Sequence, residues 1–288
     1  MSTDALPQLD ALPASLTRVH GRSRLRGVGG LTLAEFARWF PLRVLIFAAG
    51  GVAVLAFARG VWSAEENAKL APLLYIFFSL WIAVLVVSTV ATTQGAVSSE
   101  IEQGTAAWLI AKPIGRPAFV LSKFVGAIPA VLIGMVGIPG AIARVVLQQA
   151  ADNGDTDFTA SQVMDVIANE SSRNDYMSLP SMSRYLGLLA LIGTLTLLVV
   201  AVMILLGCVF RAQTAVLGLG IATPVGLLLV GQLAPTAVAE LTPGWMLASI
   251  IDILSDNPAS VLAPIVVSLA WICVTLGGAV WLFSRREL

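Results

Sequence analysis

A chain of 288 residues that is 57% hydrophobic and 12% charged, with a mean hydropathy of +0.88, cannot bury its apolar surface in one water-soluble core. Soluble domains carry about 25% charged residues, so the composition points to an all-α integral membrane protein. The 17 basic and 17 acidic residues cancel, and no basic patch with interleaved aromatics points to nucleic acid.

Residues 1–30 are polar, contain proline and then become Arg-rich, with no apolar core of the kind a signal peptide has. They read as a cytoplasmic polar tail near anionic headgroups, followed by a single membrane domain over 31–288. Thr32-Leu33-Ala34-Glu35 has the form of a capping box and predicts a short helix over Leu31–Phe40, with Leu33, Phe36, Trp39 and Phe40 as its apolar side. Pro41 then bends the chain into the first crossing, which makes this an interfacial helix leading into the membrane.

Charge-free runs locate the crossings. They lie between Arg43 and Arg59, Lys69 and Glu100, Lys123 and Arg144, Arg184 and Arg211, Arg211 and Glu240, and Asp256 and Arg285. Crossing about 30 Å of hydrocarbon takes roughly 20 residues. The first run is short and needs its flanking arginines to snorkel, whereas the others suffice, so six transmembrane helices are expected.

The second crossing reads as Leu70–Thr93 and the third as Phe119–Ala143, the latter unusual for Gly126, Pro129, Gly134, Gly137, Pro139 and Gly140. Small residues let helices approach and prolines free backbone carbonyls. That pattern reads first as a tight helix seam, and as an alternative as a wall of a transport path. Between Val145 and Arg184 lies an acidic segment whose spacing fits no calcium loop and reads as solvated surface. Phe210–Gln213 is a tight turn, and Pro224 predicts a kink in the fifth crossing. Thr242-Pro243 reads as a helix start with Trp245, Leu247, Ile250, Ile251 and Ile253 following, too short to cross and so an outer interfacial or re-entrant piece before the last crossing.

With both termini inside, twelve of the 17 basic residues fall on the cytoplasmic side and five (Arg59, Lys69, Arg144, Arg173 and Arg184) outside. That bias sets the orientation in the cytoplasmic (inner) membrane and makes the connection Gln94–Lys123 cytoplasmic. This connection carries Glu100 and Glu102 together with an apolar block, Trp108-Leu109-Ile110. Gly104 can end a helix leaving the second crossing, after which Thr105 caps a short helix that Pro113 stops. A second reading starts one helix at Ser99 with Glu102 closing a capping box. Either way an amphipathic helix faces water with apolar side chains that need a cover, and a partner protein is the expected cover.

The only lysines, Lys69, Lys112 and Lys123, do not follow glycines, so the chain has no P-loop. His20 is the sole histidine, which leaves no His-based catalytic pair, and Cys208 and Cys273 read as packing residues within crossings. No crossing carries a mid-membrane acid or base of the kind that proton- or ion-coupled carriers use. The chain is expected not to be an enzyme, to bind no cofactor or metal itself, and to draw its energy from outside the membrane domain.

The run Glu100-Ile101-Glu102-Gln103-Gly104-Thr105, then Trp108-Leu109-Ile110-Ala111-Lys112-Pro113, Arg116 and Lys123, resembles the cytoplasmic loop of ABC-2-type ABC transporter permeases. The Pro113-Ile114-Gly115-Arg116 form is similar to the subgroup containing the permease of the nitrous-oxide-reductase maturation system. The resemblance implies an export permease half that pairs with a second copy and docks on a separate ATPase subunit, which would hold ATP and Mg. Glu100, Glu102, Gly104, Thr105, Trp108, Leu109, Pro113 and Arg116 would then form the coupling site, with a cytoplasmic coupling helix after Thr105. A non-transporting scaffold or signalling partner of an ATPase is the alternative reading.

Overall fold

The computed structural model describes residues 29–37, 46, 49–56, 70–94, 96–98, 100, 116–152, 181–210, 212–233, 236–254 and 260–285. Among the described residues the secondary structure is helical throughout, with no strand. We label the helices α1 (29–37), α2 (49–56), α3 (Leu70–Thr93), α4 (Arg116–Pro129), α5 (Ile138–Asp152), α6 (Met182–Val209), α7 (Gln213–Leu233), α8 (Thr236–Ala239), α9 (Gly244–Leu254) and α10 (Leu262–Arg285). Among the described residues, three stretches are long and apolar enough to cross a membrane: Arg116–Val145, Met182–Val209 and Leu262–Arg285. Phe77–Thr93 and Gly244–Ile253 are shorter apolar helical stretches. This all-helical arrangement fits a membrane protein.

The central element is α6. Its apolar residues are spread around the whole circumference, which in a helix means burial on all sides. Every residue from Leu191 to Ala201 is buried, and α3, α4, α7, α9 and α10 all pack on it. Thr194 and Thr196 place polar groups in this core with their hydroxyls satisfied, because each donates to the carbonyl one turn back, Ala190 and Ile192 respectively, at 2.8 Å. By contrast α10 buries one narrow stripe, Ser268, Ile272, Leu276, Ala279 and Phe283, and exposes Val266, Trp271, Val274 and Trp281. A stripe at helical spacing against α6 and an apolar outer face is what a peripheral membrane helix requires.

The expected third crossing is longer and less regular than the sequence indicates. Helix runs from Arg116 through Asp152, but Ala130–Gly137 is wound as a π-helix between α4 and α5. Ile138 N–H donates to the Ile133 carbonyl, five residues back. Pro129 and Pro139 bracket this segment, and a proline supplies no N–H to the turn before it. The wider winding re-pairs groups that an α-helix would leave open. Tyr185 of α6 donates from its hydroxyl to the Gly140 carbonyl at 2.6 Å, and Gly140 lies against Leu189, so α5 is fastened to α6 immediately after the π segment.

Two local expectations change. Residues 29–31 are already helical, so Thr32 sits inside α1 and does not cap it. Leu33, on the expected apolar side of this helix, is 67% exposed, and Glu35 is the residue that turns inward and is buried. Likewise α3 ends at Thr93 and gives way to a turn, so no continuous helix runs from it to Gly104. Helix α7 runs on through Pro224 to Leu233. The expected short helix before the last crossing is present as α9, but its buried stripe is Met246, Ser249, Ile250 and Ile253, with Ile251 turned outward.

Candidate functional site

Four segments that are far apart in sequence converge at the start of α4. The geometry begins with helical spacing: Arg116, Phe119 and Lys123 stand at i, i+3 and i+7 and so share one face of α4. Arg116 donates to the Ser284 carbonyl in the last turn of α10 at 2.6 Å. One turn on, the Phe119 ring stacks on Phe283 with centroids 5.2 Å apart and planes 18° from parallel. Another turn on, Lys123 lies 5.4 Å from the centroid of Phe119 and is itself buried.

A buried ammonium needs partners, and Lys123 has two, Glu35 from α1 and Glu100 from the turn after α3. Its side chain is 4% exposed and those of the carboxylates 11% and 16%. The close approach of α1 depends on Gly126: a Cβ placed there would fall 2.6 Å from Glu35 Cβ and 3.2 Å from the Thr32 carbonyl oxygen. Only glycine leaves room for α1 to lie across α4 at the height that puts Glu35 beside Lys123.

Glu100 is aimed by the turn that precedes it. Gln94 N–H still donates to Val90 and Ala96 N–H to Thr93, closing the end of α3. Ser98 donates from its hydroxyl to the Gln94 carbonyl at 2.8 Å and, with Val97, is buried. Val97 fits against Gly207 near the end of α6, where a Cβ would meet Val97 Cβ at 3.2 Å. Residues 98 and 100 are helical again.

Of the sequence-predicted coupling residues, Glu100 and Arg116 are therefore brought to one place, on opposite sides of the Phe119 turn. Glu102, Gly104, Thr105, Trp108, Leu109 and Pro113 lie outside the described residues. So do residues 153–180 of the acidic segment, whose first residues through Asp152 belong to α5. Glu35 was not foreseen as a site residue, because Thr-x-x-Glu at the head of an apolar run reads as a cap and no local signal pairs it with a lysine 88 residues away. Lys123 was visible as the basic end of the loop pattern, but its burial was not.

Chemically the cluster is a joint. It holds no arrangement of nucleophile and base. It ties α1, the end of the α3 turn, α4 and α10 together at the two points where the connection 101–115 leaves and rejoins the bundle. No protein-family model matches the chain, and no curated protein matches it.

Proposed function

We propose that the chain is the membrane-spanning permease subunit of an ATP-driven exporter of the ABC-2 type, working as one of two copies with a separate ATPase subunit. The single observation that carries this reading is the joint at Lys123, because it fastens both ends of the connection 101–115 to the helical bundle. A short helix within that connection, gripped through Trp108 and Leu109 by a partner, would then move α3, α4, α10 and α1 as one lever. A loosely tethered loop would only flex. ATP-driven closure of two ATPase subunits could thereby tilt the bundle between inward- and outward-open arrangements.

In this reading six crossings are formed, with both termini in the cytoplasm and the chain in the cytoplasmic membrane. The segment Leu31–Phe40 is the elbow, lying in the cytoplasmic interface with Leu33 toward lipid and Glu35 toward α4. The segment Thr242–Leu254 is the outer re-entrant piece; α9, at 11 residues, is about 16 Å long and does not cross. ATP and Mg belong to the partner, and the coupling residues are Glu100, Glu102, Gly104, Thr105, Trp108, Leu109, Pro113 and Arg116.

Affinity purification from membranes in mild detergent tests this. The wild-type chain is expected to bring with it a subunit carrying Walker motifs and hydrolysing ATP. The pair Trp108→Glu and Leu109→Glu is expected to lose that subunit while eluting at the same size as the wild-type permease. An ATPase that stays bound to the double variant, or is never recovered with the wild type, contradicts the reading. Recovery of an ATPase whose activity drives no flux in proteoliposomes would support the scaffold reading instead.

A further inference from the structure

Between α3, α6, α7 and α9 lies a cavity of about 310 Å³. Its lining runs from exposed to buried. Ser79, Ala83 and Val87 follow one another at i, i+4 and i+8 along the outer side of α3, and Ile221 of α7 faces them; Val87 is 52% and Ile221 42% exposed. The inner wall is Leu198, Val199 and Met203 of α6, all buried.

The lining contains no charged side chain, and its hydroxyls are those of Ser79 and Thr223. Thr223 already donates to the Leu219 carbonyl at 2.7 Å. A charged or strongly polar ligand would therefore lose its hydration with nothing to replace it. Water does not fill such a space either, since a buried water needs two to four polar partners. The volume is about twice that of an engineered apolar cavity that accepts benzene, and falls in the range of small-ligand pockets. Gly220 lets α7 approach Met203 and Val90 closely and closes the wall there, and Pro224 lies one turn further along the same wall.

The mouth lies between α3 and α7, where the lining residues Val87 and Ile221 are exposed. In a bundle whose long helices are apolar enough to cross a membrane, the medium that satisfies such a surface is hydrocarbon. We infer that this cavity is a binding site for one acyl chain of a bilayer lipid, inserted sideways between α3 and α7 down to Val199 and Met203. The inference rests on the helices lying in a bilayer and is independent of the transport reading.

Nanodiscs of phosphatidylcholine with a diazirine in mid-chain provide the probe. After irradiation, peptide mass spectrometry is expected to find label on Val199 and Met203 and none on Leu191 or Ile192, which are equally buried on the same helix. Ala83→Trp and, separately, Ser79→Phe place bulk at the exposed mouth and are expected to abolish label on Val199 and Met203. Label on Val274, which is 64% exposed on α10, should stay unchanged. Absence of label at Val199 and Met203 in the wild type overturns the inference, as does label that neither plug reduces. So does a mouth covered by a second copy of the chain, seen as protein–protein cross-links from a photoreactive residue at Val87.

Discussion

Lys123 carries its charge almost sealed from solvent, and two carboxylates from distant parts of the chain hold it there. Removing one partner of such a cluster leaves an uncompensated buried charge, at a cost of about 3–5 kcal/mol. Lys123→Met is therefore expected to lower the melting temperature in detergent sharply. The triple change Glu35→Gln, Lys123→Met and Glu100→Gln should recover most of that loss, because no charge is then left buried. If the single and triple variants melt alike, the cluster is not electrostatic in the way described. Gly126→Ala probes the same joint by shape: its methyl collides with Glu35 and should cost about 1–3 kcal/mol and free α1 for early proteolysis. Unchanged protection of residues 29–37 would count against α1 being seated on Gly126.

At the scale of elements, the outer helix α9 makes a sharp prediction. Its buried stripe predicts that Ile253→Ala destabilises by about 2–5 kcal/mol, while Ile251→Ala, on the opposite face, is close to neutral. Thermal unfolding of the two variants checks this, and equal losses would mean that α9 packs on a different face. The elements also show what a sequence discloses. The helix of the expected second crossing was legible to the residue as Leu70–Thr93, because Lys69 and the polar turn bracket an unbroken apolar run. The fourth was nearly so, between Arg184 and Arg211, and the start of α9 was announced by Thr242-Pro243. The π segment was not legible as such. Glycines and prolines marked Ala130–Gly137 as unusual, but whether freed carbonyls are met by a kink, a neighbour or a wider helix is decided by packing against α6. Glu35 was misread for a related reason: a cap is a local pattern, whereas its true partner is tertiary.

At the scale of the whole molecule, the proposed reading makes the connection 101–115 a cytoplasmic handle held at both ends by the joint at Lys123, with the exposed apolar face of α10 turned to lipid or to a second copy. The proposal requires above all that this handle face the cytoplasm and be gripped there by an ATPase. The most direct measurement is the sidedness of Thr105→Cys in a background with Cys208→Ala and Cys273→Ala, using a membrane-impermeant maleimide. Labelling is expected in inverted membrane vesicles alone, with protection once the ATPase subunit is bound. Labelling in right-side-out vesicles, or labelling in inverted vesicles that the bound ATPase leaves untouched, would contradict the proposal.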